Sequence, residues 1–133
     1  MFDKPKYGWV HFELERFSAS ISYLTDVPLD ILDACIAYKK SGSGSVCFDC
    51  EGWMFTIVFT PYQIFIIEEK DETKLWEFFN TTPNEFVKEI ISDIESNKKE
   101  WLEFLTDYED NNKENEAKID KKLKELKQLM KRE

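Results

Sequence analysis

The side chains able to do chemistry are few. His11 is the only histidine, and the three cysteines are Cys35, Cys47 and Cys50. Carboxylates gather in two places, with Asp49 and Glu51 beside one glycine and Glu68, Glu69, Asp71 and Glu72 in a later charged run. Cys47-Phe48-Asp49-Cys50 has C-x-x-C spacing, and Cys35 with His11 would complete four ligands for zinc. On an extended segment, however, Cys47 and Cys50 fall on opposite parities, so one ion cannot take both unless the strand bulges. A second C-x-x-C is missing, and a redox pair of this kind opens a helix inside a βαβ unit. The expectation is free thiols, buried or half-buried. His11 stands near Glu13 with no nucleophile marked by a motif, which favours a packed or solvated histidine over an acid–base catalyst. There is no Gly-rich phosphate loop and no H-E-x-x-H.

Paired acids could serve a hydrolase or hold a divalent cation. Acid runs at sheet ends are more commonly solvated turns, whereas binding a basic partner requires no strict geometry. The residues expected to bind a partner are therefore Asp49, Glu51, Glu68, Glu69, Asp71 and Glu72. No catalytic residue, cofactor or metal is expected.

Charge supports a binding role. The net value is −9. Residues 111–133 hold eight Lys or Arg against five Asp or Glu, a net of +3, which leaves −12 for residues 1–110. An acidic body repels phosphate backbones and anionic membrane and steers a basic partner towards it; solubility is the plainer reading of the same charge. The aromatics at 53, 55 and 59 could form a base-stacking platform, but without interleaved Lys or Arg they read as core. No apolar run approaches the roughly 20 residues of a membrane span. The N-terminus lacks the pattern of a signal peptide, and the odd cysteine count does not suggest a secreted disulfide framework. Cytoplasmic residence is the expectation.

The elements that would position these residues centre on 45–69. Trp53, Phe55, Ile57 and Phe59 share one parity, and Met54, Thr56, Val58 and Thr60 the other. Beyond Thr60-Pro61 the pattern resumes with Tyr62, Ile64 and Ile66 against Gln63, Phe65 and Ile67. Apolar residues on both parities suggest cover on both faces. Glu51-Gly52 and Thr60-Pro61 are the turns of an antiparallel meander, and Lys74–Phe79 is either its fourth strand or a short connector, the strand being favoured. Upstream, 9–15 and 17–24 alternate as one bent strand or as a hairpin turning at Glu15-Arg16.

Thr25-Asp26-Val27-Pro28 starts a helix that runs to about Lys40, with Leu29, Leu32, Cys35 and Ile36 as its stripe. The run SGSGS (41–45) then reads as a flexible connector. Thr82-Pro83-Asn84-Glu85 is a capping box with proline at the first helical position. It opens a long helix bearing Phe86, Val87, Ile90, Ile91, Ile94, Trp101, Leu102, Leu105 and Tyr108, with a break at 110–112. Ile119, Leu123, Leu126 and Met130 then form a short apolar seam that must dock on the body, pair with another copy as a homodimer through 113–132, or fray. The fold class expected is α+β: an antiparallel meander of four to six strands, packed by a helix at about 28–40 and a long helix from about 83. Residues 1–110 are expected to form a single domain, and 111–133 a charged helical C-terminal tail.

The segments SYLTDVPLDILDACIAY, SVCFDCEGWMFTIVF, YQIFIIEE and TPNEFVKEIISDIESNKKEWLEF, in that order and on an acidic chain, resemble the immunity proteins encoded beside bacterial polymorphic toxins. The resemblance covers most of residues 20–104. It implies stoichiometric inhibition of a cognate toxin without catalysis by the inhibitor, and it carries over no contact residue. The basic tail lies outside it. The competing reading is a small-ligand or regulatory domain with an aromatic pocket lined by Trp53, Phe55, Trp76 and Trp101. An enzyme using Asp49 and Glu51, or Cys47, is the reading favoured least.

Overall fold

Six strands and four helices make up the computed structural model, which describes residues 1–105 and 112–132. β1 (Trp9–Leu14) and β2 (Phe17–Ser22) pair as an antiparallel hairpin. β3 (Gly44–Asp49), β4 (Met54–Phe59), β5 (Ile64–Glu69) and β6 (Thr73–Phe78) form a separate antiparallel sheet in sequence order. The class is α+β, as expected, with the strands divided between two sheets.

Turn chemistry sets the register. In the β3–β4 turn Glu51 and Gly52 both have positive φ, 54° and 108°, and the Cys50 N–H donates to the Trp53 carbonyl at 2.9 Å. Two consecutive left-handed residues give the twist that matches a hairpin. At the β4–β5 turn the Thr60 hydroxyl accepts from the Gln63 N–H at 2.9 Å. Ser18 and Ser20 of β2 face outward, and the buried Ser22 accepts the Leu24 N–H at 3.2 Å.

The hairpin lies on one face of the four-stranded sheet, and the core forms between them. Phe12 and Phe17 meet Phe55 with ring centroids 5.8 and 4.9 Å apart, and Phe17 meets Trp76 edge-on at 5.4 Å. Aromatic pairs in tilted or edge geometry add to the area that they bury. α1 (Val27–Ser41) flanks β3, and α2 (Pro83–Ser96) sends Phe86 between Phe12 and Phe59.

Both helix starts follow the capping logic read in the sequence. The Asp26 carboxylate accepts the Leu29 N–H at 3.3 Å. The Thr82 hydroxyl accepts the Glu85 N–H at 3.1 Å and donates to the Glu85 carboxylate at 3.0 Å. Replacing Thr82 with alanine removes one cap and is expected to cost about 1 kcal/mol. A denaturant midpoint indistinguishable from that of the parent would show that the cap contributes nothing.

Several expectations are corrected. SGSGS is not a flexible connector: Ser41 ends α1, Gly42 caps it in the left-handed region at φ 90°, and Gly44 already opens β3. The stripe of α1 also includes Ile31, Ala34 and Tyr38, with Leu29 only partly buried. The long helix is two helices, α2 and α3 (Lys98–Leu105), broken at Asn97. Asn97 leaves the helical region at φ −123° and ψ 32°. Its side-chain amide donates to the Asp93 carbonyl at 3.4 Å, and its own carbonyl accepts the Trp101 N–H at 3.0 Å. One residue therefore closes one helix and opens the next, and within α3 Phe104 is buried beside Trp101, three residues away. Tyr108 and residues 110–111 of the expected break at 110–112 lie outside the described residues, and Asn112 already opens the last helix.

α4 (Asn112–Lys131) docks on α1 of its own chain, with Ile119, Leu123 and Leu126 buried. Lys40 pairs with Glu125 at 2.7 Å and Lys98 with Asp120 at 2.5 Å; Asp33–Lys122 and Glu95–Lys127 pairs flank them. Exposed ion pairs are worth little each, so the apolar seam holds the helix and the charges set its register. The homodimer through 113–132 would need that same seam, which is buried inside the chain.

Among the described residues the sheet is covered on one face only. Val46, Phe48, Phe55, Ile57, Phe59, Ile64 and Ile66 point into the core, while Val58, Phe65 and Ile67 on the other face are half-buried and Met54 is exposed. Expected cover on both faces is thus replaced by cover on one. Neighbouring strands shield part of each outer side chain, which lets β-branched and aromatic residues occupy an open face.

Candidate functional site

In a meander, every second turn emerges at the same end of the sheet. The β3–β4 turn (50–53) and the β5–β6 turn (70–72) therefore lie side by side, their midpoints two strand spacings apart across β4 and β5, about 10 Å. This brings together two acidic clusters that are 17 residues apart in the chain, counting from Glu51 to Glu68. Asp49 and Glu69 are cross-strand partners of Met54 from opposite sides, so both face outward in one row that ends at Thr73. Glu51, Asp71 and Glu72 project from the turns and are exposed.

Glu68 differs from its neighbour. Strand alternation turns it to the inner parity, across from Phe55 and Lys74. It belongs to the rim by position but not to the outward row. Asp49 also serves the turn, since its carboxylate accepts the Glu51 N–H at 2.7 Å. Its backbone N–H donates to the Thr25 hydroxyl at 2.9 Å and ties the rim to the start of α1. A carboxylate held in this way loses little further freedom on binding.

The two nearest cations are turned elsewhere. The Lys70 ammonium lies 4.9 Å from the Trp53 ring centroid, and that of Lys74 lies 4.1 Å from Trp76. Both tryptophans occupy the inner parity; strand alternation puts Lys74 there as well, and cation–π attraction holds Lys70 over Trp53 on that side.

The remaining candidates do not assemble a reactive centre. Cys47 is exposed on the outer face of β3, while Cys50 is buried at the turn and Cys35 within α1. Among the described residues no group of three or more His, Cys, Asp or Glu could hold a metal ion. Burial pushes the Cys35 thiol up to about 12; burial, then the adjacent Asp49 carboxylate, does the same for Cys50. The thiolate is the reactive form, so iodoacetamide at neutral pH is expected to label Cys47 alone in the folded chain. Mass spectrometry showing equal modification of Cys50 would contradict this placement. His11 pairs with Glu13 at 3.0 Å on the exposed side of β1.

The aromatic pocket is likewise corrected. Phe55 and Trp101 are fully buried against other rings, and Trp53 meets Phe55 in a tilted pair at 6.0 Å. Open clefts of about 440 and 430 Å³ lie beside α3 and along β6, and of the four aromatics only Trp76 lines either. Rings packed at these distances fill the core instead of enclosing a ligand.

Sequence reasoning missed the outer face of the sheet as a surface. The signal was available in the even-numbered run Met54, Thr56, Val58 and the odd-numbered run Phe65, Ile67, Glu69, which the register places together. No helix among the described residues is long and apolar enough to cross a membrane. Neither a protein-family model, nor a characterised protein, nor a solved structure matches the chain.

Proposed function

We propose that this chain is a non-catalytic binding protein that neutralises a basic protein partner, a toxin domain of the polymorphic type, by stoichiometric contact. The observation that carries the reading is the convergence of two acidic turns on one rigid end of the sheet, with the nearby lysines on the opposite face. A one-signed patch on a pre-ordered scaffold speeds the encounter with an oppositely charged protein and fixes its orientation. The resemblance of the element order to immunity proteins supports the same partner class, and on this reading the chain acts in the bacterial cytoplasm.

The product of the adjacent reading frame is the partner to test. Glu69→Lys with Asp71→Lys reverses two rim charges without placing a second lysine opposite Lys74, as a change at Glu68 would. The expected result is a fall of about tenfold or more in association rate at low salt, with an unchanged unfolding midpoint, since steering of this kind raises on-rates by 10 to 10³. The parent's own rate should fall as salt shortens the screening length to about 8 Å near 0.15 M. Unchanged association would assign these acids to solubility, and absence of any complex would remove the proposal.

A further inference from the structure

Twelve side chains point outward from the four strands, and their register is fixed by pairing. The rows are Ser45–Val58–Phe65–Glu77, Cys47–Thr56–Ile67–Leu75 and Asp49–Met54–Glu69–Thr73. Three are carboxylates and none is Lys or Arg. The centre is apolar: Met54 and Leu75 are 42% and 58% exposed, and Val58, Phe65 and Ile67 are half-buried between them. Four strands about 4.8 Å apart and six residues long span roughly 20 Å by 20 Å, and Met54, Val58, Phe65, Ile67 and Leu75 are the large apolar side chains within that area.

We infer that this open sheet face, resting on the binding role proposed above, is where the basic partner seats an apolar anchor ringed by Lys or Arg. The face supplies what the rim lacks. Exposed carboxylates govern encounter rate and orientation, whereas residence depends on desolvated apolar contact at the centre of an interface. Asp49 and Glu69 join the two, because they edge the face and the rim at once. Charge selects the occupant. Phosphate backbones and anionic lipid meet three carboxylates, with no Lys or Arg in the three outward rows. A second copy of the chain would set the same carboxylates against each other on a chain of net charge −9. A basic surface with an aliphatic or aromatic centre meets opposite charge at the edges and apolar area in the middle.

Cys47 lies within this face and is the exposed one of the three thiols, so its alkylation rate reports cover on the face. The full chain is to be treated with iodoacetamide in the presence of a twelve-residue Leu/Lys peptide, of dodecalysine and of a Leu/Glu peptide. The Leu/Lys peptide is expected to slow modification of Cys47 at least about fivefold, and the other two to leave it unchanged. Phe65→Ser should weaken the Leu/Lys peptide about tenfold, the factor expected for losing one buried aromatic contact, while the unfolding midpoint shows the variant to be folded. Equal protection by dodecalysine would reduce the site to the charged rim. Equal protection by the Leu/Glu peptide would reduce it to unselective stickiness, and protection that grows with the chain's own concentration would make the occupant a second copy. Each of these results overturns the inference, as does absence of protection by the Leu/Lys peptide. The functional reading fails separately, if the adjacent-frame product forms no complex. If that product binds and leaves the Cys47 rate unaltered, the role stands and this face does not.

Discussion

Replacing Trp101 with alanine is expected to destabilise the chain by about 3–5 kcal/mol, the range for truncating a large buried aromatic. Trp101 has no exposed surface, meets Phe2 edge-on at 5.3 Å and Phe104 at 5.5 Å. Two parts of the cost add: transfer of the indole back to water in the unfolded reference, and the void left among rings that cannot all move inward. Its ring N–H is buried without an acceptor among the described residues, so the truncation strands no polar partner there, and the cost is one of packing. Through Phe2 the effect should spread to the hairpin, because Phe2 also packs on Phe12 at 5.1 Å and its N–H donates to the Asp93 carboxylate at 3.0 Å. Chemical denaturation provides the measurement. A midpoint equal to that of the parent would mean that α3 does not anchor the N-terminal segment.

The position of Trp101 in the core was legible because its spacing from Ile94 and Ile90 is helical. Its partners were not. Asn97 has a helix propensity little different from its neighbours, and only its simultaneous bonds to Asp93 and Trp101 make it a break. Phe104 was left off the expected stripe although it stands three residues from Trp101, on the same face of the helix. The meander was legible for a different cause. Glu51-Gly52 and Thr60-Pro61 carry turn chemistry that acts over four residues, and strand parity follows at once from such turns.

Relations across strands were harder. The six acids read as two clusters because sequence distance says nothing of which turns share an end of a sheet. Glu68 and Glu69 illustrate the limit: adjacent and chemically alike, they face opposite sides. The outer face was read as covered because hydrophobic parity reports the presence of apolar side chains and cannot report what lies above them. Val58, Phe65 and Ile67 bury half of themselves on one another, so their composition imitates a strand packed on both sides.

Gly44→Ala is expected to cost about 3 kcal/mol, at the upper end of the range for overpacking, and the reason is backbone, not conformation. A Cβ on Gly44 would stand 2.4 Å from the Ala34 carbonyl oxygen and 3.2 Å from the Tyr38 nitrogen, both in the interior of α1. Neither atom can rotate aside, so helix and strand must separate. The shift pulls on two contacts that tie α1 to the rest of the core: Tyr38 packs on Phe59 at 6.0 Å and donates its hydroxyl proton to Asn84 at 3.1 Å. Gly42, two residues earlier, is the control. Its φ of 90° penalises any L residue, but a Cβ there meets only Pro61 at 3.5 Å, so Gly42→Ala should cost about 1–2 kcal/mol through left-handed strain alone. The two variants also differ in reach. β3 continues from Gly44 to Ser45 and Cys47 on the open face, so displacing the strand should change the alkylation rate of Cys47, whereas Gly42→Ala should leave it as it is. Equal midpoints and equal Cys47 rates for the two variants would show that α1 does not lie against β3 at Gly44.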